Sequence, residues 1–507
     1  MSVGVFLGGD TVSRGVVRTS RAEAGDIATL GVFGAGAVAV LTMWGASMWS
    51  AVSAAGIAAV GLGVCLPWQF IRDATGGTSL RGWLGVRIGF RWRRAHGLTS
   101  FNPTAKTPVP AGVESLTTTD ELIDDQLIAV TEPSRSVDLQ GKGRAFITVL
   151  EVQGDPEHRG PEGTRWSSLL EYLGTEASLA SHVTTVASVT DWDATDHVWL
   201  TRQDLEQAGD VNPLLVESYG EVIDRVLEVA AARRTWVALR FPVTPALRES
   251  GDDEESLRRR VADQTMAVAD RAETLGLRMR PLDSVGQAAL CRHLMDPEVS
   301  PDDVRGLGEG ADCWLGAFPA FRTSKDRRSL VVDGAAGQRW MTTWEVPAWA
   351  IEAAWLPVDW LYPLSTALSG QVHRVITVTC ELVETRKARA AARADVTSDS
   401  AAVARQETVS DGTNEVQAIA SRTRLEDLAP GRQTVGVNWS MAVAFHSRSE
   451  KEHITFDRRM MGALADSYIG TPLRLRYRQD AALGLIMPIT RAGTKTRIER
   501  MTEWVGL

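Results

Sequence analysis

Cysteine is scarce in this chain. Four in 507 residues, none close to another, exclude a disulfide scaffold and a CxxC zinc site. A phosphate-binding loop is also missing. Gln140-Gly141-Lys142-Gly143 has Ser136 where such a loop needs its first Gly, and Gly143 where it needs Ser or Thr. Gly493-Thr494-Lys495-Thr496 lacks the Gly-Lys-Ser/Thr core as well. Without GxxxxGK[ST] there is no ring of backbone amides to cradle phosphates. Gly306-Leu307-Gly308-Glu309-Gly310 is not GxGxxG and reads as a turn. GxSxG and HExxH are absent. The eight His (96, 158, 182, 197, 293, 373, 446, 453) are scattered, and His446 with His453 makes at most a pair, so surface or loop positions are expected for them. Cys291 and His293 point to different faces of one helix at i, i+2, while Cys313 and Cys380 read as small core residues. Asp191/Asp193 and Glu157/Glu162 flank turns and read as solvated acids. No repeat of solenoid period is visible. Nothing among these motifs supports an enzyme, and neither a cofactor nor a metal is expected.

Charge is lacking in one place above all. Between Asp26 and Arg72 lie 45 residues without a single charged side chain. About 20 apolar residues cross a bilayer as a helix, so the stretch suffices for two. Ile27–Trp44 and Ala51–Phe70 are read as the two spans of a transmembrane hairpin, with a short turn between them. Trp44, Trp49 and Trp68 fall at span ends, where indoles favour the headgroup layer. Small residues such as Gly31, Gly34, Gly56 and Gly61 would let the helices approach closely. A signal peptide has an apolar region of only about 7–15 residues, too short for this segment. A mean hydropathy of −0.09 conceals the hairpin by averaging.

The flanks set the orientation. Arg14, Arg18 and Arg21 precede the hairpin, and Arg72, Arg81, Arg87, Arg91, Arg93 and Arg94 follow it. By the positive-inside rule both termini are cytoplasmic, in an inner (plasma) membrane protein. Residues 1–99 hold nine Arg against four acids, a net +5, so with −9 for the whole chain the other 408 residues carry −14. That acidity argues against direct nucleic-acid binding. Leu80–Arg94 interleaves Trp83 and Trp92 with five Arg, which suits contact with anionic lipid at about 1 kcal/mol per basic residue. The same segment could instead pack on the soluble region, and Val86–Arg93 alternates as a strand would.

The rest reads as a mixed α+β cytoplasmic region of two open sandwich-like subdomains. The expected organisation is a tail (1–26), the hairpin (27–71), a basic juxtamembrane segment (72–98), a Pro/Thr-rich linker (99–122), a first subdomain (123–300), a second (301–490) and a C-terminal tail (491–507). In the first subdomain, strands at 144–152, 183–190, 235–241 and from 277 alternate with helices at 166–179, 213–232, 254–275 and 283–294, the helices on one face of the sheet. In the second, Arg339–Val346, His373–Leu382 and Gln433–Phe445 are strand-like. An Ala/Arg-rich helix begins at Glu384, loops within 395–412 and resumes near Asn414. Trp340, Trp344, Trp349, Trp355 and Trp360 crowd into 21 residues; core packing is the commoner role, a partner surface the other.

Two spans followed by SLRGWLGVRIGFRWRRAHG (Ser79–Gly97) resemble an actinobacterial family of conjugative-element membrane proteins, whose hairpin looks like the PrgI/VirB-type subunits of type IV secretion. RAFITVLEVQG (Arg144–Gly154), LDSVGQAALCRHLMDP (Leu282–Pro297) and LRLRYRQDAALGLIMPIT (Leu473–Thr490) resemble the N-terminal, non-motor region of the conjugation ATPase. That resemblance implies a non-catalytic inner-membrane subunit, part of a multi-subunit complex, whose partners are membrane lipid and a separate secretion ATPase that it anchors or docks. An accessory membrane subunit of type VII secretion resembles the same layout, and a membrane-tethered enzyme with an unfamiliar site is the alternative from another class.

Overall fold

The computed structural model describes residues 4–7, 53, 80–104, 106–110, 113, 116–133, 144–153, 162–175, 178–191, 201, 203, 205, 212–229, 231–249, 251, 253–347, 350–351, 354–357, 360–366, 372–404, 413–429, 435–470 and 472–489. The expected hairpin over 27–71 lies outside this set except for Ser53, as do the tail 491–507, Trp349 and the runs at 140–143 and 493–496. No described helix is long and apolar enough to cross a membrane.

The chain is mixed α+β. Strand β1 is Gly4–Leu7, and helix α1 is Leu80–Ala95. Then come β2 (Ser100–Phe101), β3 (Leu116–Ile123), β4 (Gln126–Pro133), β5 (Ala145–Gln153), α2 (Glu162–Leu173), β6 (His182–Asp191), α3 (Pro213–Val229), β7 (Ala231–Pro242), α4 (Pro245–Arg248), α5 (Glu254–Thr274), β8 (Arg278–Pro281) and α6 (Ser284–Met295). They are followed by β9 (Phe321–Thr323), β10 (Leu330–Gly334), β11 (Gly337–Pro347), β12 (Ala354–Pro357), α7 (Tyr362–Thr366), β13 (Arg374–Val383), α8 (Thr385–Ala404), α9 (Thr413–Asp427), β14 (Gly436–Ser447), α10 (Glu450–Asp466), β15 (Leu473–Arg474) and α11 (Gln479–Ile486). Residues 99–122, expected as a linker, supply β2 and most of β3. Their Thr-rich alternation (LTTTDELI) buries Leu116 and Thr118 against the sheet.

One antiparallel sheet carries both halves of this region. Its order is β2-β9-β10-β11-β14-β13-β6-β7-β5-β4-β3, with β15 beside β11 and β8 beside β5. The order repeats outward from the β6–β13 ladder. On one side lie β7, β5 and then β4 with β8, and on the other β14, β11 and then β10 with β15. The helices follow suit: α5 and α6 flank β8 as α10 and α11 flank β15. The region is therefore an internal two-fold duplication whose seam is β6–β13, running in register from Arg374 opposite Val189 to Glu381 opposite His182. Both seam strands are β-branched (HVTTVASVTD and RVITVTCELV), as suits strands covered on both sides.

Helices cover both faces, not the single face expected. Alternate residues of β5 divide the core: Ile147 and Val149 join Trp236, Trp314, Leu290 and Leu483 beneath α6 and α11, whereas Phe146 and Leu150 meet Leu257, Val261 and Val268 of α5. On that second face Trp344, Phe445, Met460 and Leu464 form the equivalent cluster under α10. Thus Trp344 of the Trp-rich stretch is a core residue, and Trp360 packs partly buried beside it. Burial of each such side chain contributes about 1.5–3 kcal/mol. The covering helices are capped alike. Asp253 accepts from the Ser256 amide (2.9 Å), Ser449 from Glu452 (3.3 Å) and Asp283 from Gly286 (2.8 Å). Gly276, at φ +76°, ends the turn after α5.

Candidate docking surface and a buried histidine cluster

Helix α1 packs one side of the basic segment on the folded region and leaves the other exposed. Val86–Arg93, with its strand-like alternation, is helical, and Phe90 faces inward at 5% exposure. Its ring meets Tyr477 edge-on at 5.4 Å. Arg93 donates through Nε to Asp480 Oδ2 (2.7 Å) and through Nη2 to the Tyr477 carbonyl (2.5 Å). Arg87 donates from Nε and Nη2 to the Tyr477 hydroxyl, both at 3.3 Å. Arg93, expected at the lipid interface, is thus turned to the folded region, and Arg87, also expected there, reaches Tyr477 while staying exposed. Arg91, Arg94 and Trp92 stay exposed, Trp92 with its ring stacked on His96 at 4.3 Å. Arg81 and Trp83 lie in the first turn of α1, while Trp44, Trp49, Trp68 and Arg72 are outside the described residues.

The receiving corner is built from the start of α11 and the turn before β10. Tyr477 and Arg327 both hold left-handed backbone (φ +66° and +62°), a conformation that costs a non-glycine residue roughly 1–3 kcal/mol. The Tyr477 amide donates to the Arg327 carbonyl at 2.9 Å, locking the pair together. Guanidinium groups then crowd the Tyr477 ring: Arg327 at 5.3 Å, Arg476 at 5.3 Å and Arg87 at 5.7 Å from its centroid. Burial alone would raise the Tyr477 hydroxyl, but Arg87 and Arg327 outweigh it and hold its pKa below the usual value. Sequence reasoning missed Tyr477, Arg327 and Asp480. The one available signal was that YRQD lies inside a segment already singled out, Leu473–Thr490.

β1 bears on the same question from the other flank. It pairs antiparallel with β12, with Val5 opposite Leu356 and Phe6 opposite Trp355. β12 lies three residues after Ile351, which bridges Ile469 beyond the end of α10. The segments before and after the uncharged stretch are thus both fastened to the duplicated region.

The histidines, scattered in sequence, converge in space. His293 (α6), His373 (just before β13) and His446 (β14) lie under α6 at 4%, 7% and 1% exposure, so His446 is a core residue and not a surface one. His453 is likewise buried on α10, between Thr342 (2.7 Å) and Ser447 (2.8 Å). Ser188 Oγ of β6 lies 2.9 Å from Nε2 of both His293 and His373. His293 Nδ1 donates to the Val299 carbonyl (2.8 Å), which leaves its Nε2 as the acceptor for the Ser188 hydroxyl, and His373 Nε2–H then donates to Ser188 Oγ. The rings continue edge-on and tilted, with His293 to His373 centroids at 5.5 Å and His373 to His446 at 4.8 Å. Arg339, paired with Asp296 (3.8 Å) and Glu298, adds a nearby positive charge. Burial is the main reason that the imidazoles stay neutral: it lowers His293 to about 4 and His446 to about 3, and pushes His373 well down.

Buried from solvent, these hydrogen bonds tie α6 to the strands of the seam. Cys291 and Cys313 are buried, and burial pushes both thiols up, Cys313 to about 11. Among the described residues no group of three His, Cys, Asp or Glu is set to hold a metal ion. A small cavity lined by Glu345, Thr377, Thr379 and Ser440 has room for about one water molecule. Gly306 and Gly310, both at positive φ, sit in turns as expected. No family model matches the chain, and no curated protein matches it in sequence.

Two outcomes follow from these contacts. Asp480→Asn removes the charge that holds Arg93 and should cost about 1–3 kcal/mol. Limited trypsin digestion should then cut faster at Arg91 and Arg94 than in the wild type; unchanged cleavage would show that α1 is held some other way. The neutral histidines make stability depend on pH. Below about pH 6.5 the unfolded chain binds protons that the folded chain refuses, so their contribution is complete above 6.5 and is lost as pH falls toward 4. Each such group steepens the slope by up to about 1.4 kcal/mol per pH unit. Urea midpoints measured from pH 7 to 4 should fall, and His446→Leu should flatten the fall; an unaltered slope would contradict the assignment.

Proposed function

We propose that this protein is a non-catalytic inner-membrane subunit of a conjugative type IV secretion-like system, which anchors or docks the secretion ATPase at the cytoplasmic face. The observation that carries the membrane part is the double attachment. β1 before the uncharged stretch and α1 after it both join one folded region. Chain that leaves a body and returns to it must cross a bilayer an even number of times, and 45 uncharged residues accommodate two crossings. Arg on both flanks favours the cytoplasm for that body. Its two sandwich-like halves form an acidic scaffold of continuous sheet, with apolar side chains exposed on α3 (Leu214, Leu215, Val222) and on α9 (Val416, Ile419) as surfaces for protein partners. The docking role itself comes from the resemblance of Leu282–Pro297 and Leu473–Thr490 to the non-motor region of the conjugation ATPase. Those segments contain α6 and α11, which close the two halves against one shared core.

Co-expression with the hexamer-forming secretion ATPase encoded nearby should yield a complex after detergent solubilisation. Recovery of this protein alone, with that ATPase present and active, would overturn the docking role. Topology is tested separately: a reporter after Leu507 should report cytoplasm and one inserted at Ser47 the exterior, and the reverse pattern would refute the orientation.

A further inference from the structure

α1 has two unlike sides. Phe90 and Arg93 turn toward Tyr477 and Asp480, whereas Ile88 and Trp92, one helical turn apart, point the other way at 64% and 58% exposure. Arg91 is exposed beside them, and Arg94 is exposed further round the helix. An isoleucine and a tryptophan so exposed on a helix otherwise rich in arginine give little to a soluble fold. They match a helix lying in a lipid interface, with its apolar side in the acyl boundary and its cations at the headgroups. Arg327 and Arg476 extend the positive charge from α1 onto the folded region. The uncharged stretch ends at Ile71, nine residues before Leu80 opens the helix, so α1 starts within short reach of the bilayer.

We propose that the Ile88–Trp92 side of α1 lies on the anionic lipid surface of the same membrane, and that α1 clamps the Tyr477 corner, and with it the α11 end of the sheet, against the headgroups. This rests on the membrane-anchor reading and adds an orientation to it. The occupant is anionic lipid because the corner concentrates arginine in a chain of net charge −9, and because the helix follows the uncharged stretch closely in sequence. Asp480, the carboxylate that reaches the helix, is already taken by Arg93.

The test uses the full chain in nanodiscs, with its native cysteines replaced and an environment-sensitive fluorophore on Ile88→Cys. In nanodiscs rich in phosphatidylglycerol, emission should shift to the blue and brominated acyl chains should quench it. The same fluorophore on Val222→Cys should remain aqueous. Arg91→Gln and Arg94→Gln should each weaken the embedded state about fivefold, the equivalent of ~1 kcal/mol per basic residue. A label at position 88 that stays solvated in nanodisc-bound protein would overturn the lipid contact while leaving the anchor intact. Protein that fails to enter nanodiscs at all would instead sink the anchor reading. Shielding that appears only when the ATPase is added would assign this side of α1 to a protein partner and refute the proposal.

Discussion

The β6–β13 ladder is the constraint on which the rest of the structure depends. Its eight paired residues turn two similar halves into one sheet, and every other strand of that sheet takes its place by distance from the seam. Because the halves are related by a two-fold repeat, α6 and α11 come to lie on the same face over one shared core. The other face keeps two separate clusters, one under α5 and one under α10. The seam also explains the polar relay. Ser188 of β6 and His373, just before β13, meet at the seam, and α6 lowers His293 onto them, so one buried hydroxyl bonds two imidazoles at once.

The same architecture gives the N-terminal segments somewhere to attach. β12 and Tyr477 both belong to the second half, so β1 and α1 are held by one half of the duplication. An asymmetry thereby enters a nearly symmetric body. At the corresponding point of the first half, Ser284 at the start of α6 bonds Asp120 through its amide (2.8 Å) and hydroxyl (2.6 Å). One half thus closes on its own hairpin strand, and the other receives a basic helix.

Local pattern made much of this legible. β-branched and apolar runs located β5, β6, β13 and β14 within a few residues. Helix α8 instead runs on to Ala404, across the first part of the 395–412 stretch where Ser, Thr and Asp suggest a loop, and 405–412 lie outside the described residues. Partnership was not legible. Nothing near His373 announces His293 or His446, because only the seam brings them together. Val86–Arg93 suits a strand by alternation and a helix by composition, and the contact that decides, Arg93 with Asp480, spans nearly the whole chain. The duplication left one faint trace: Ala288-Ala289-Leu290 and Ala481-Ala482-Leu483 occupy equivalent helices, too far apart for a solenoid period to register.

The central claim is that both flanks of the uncharged stretch are fastened to one body. Cysteines at Val5 and Leu356, opposite each other in the β1–β12 ladder, test it most directly. In native membranes, mild oxidation should join them as readily as a control pair at Thr185 and Val378 across the seam. A control that links while Val5 and Leu356 stay reduced would contradict the account, because the N-terminal flank would then be free of the folded region.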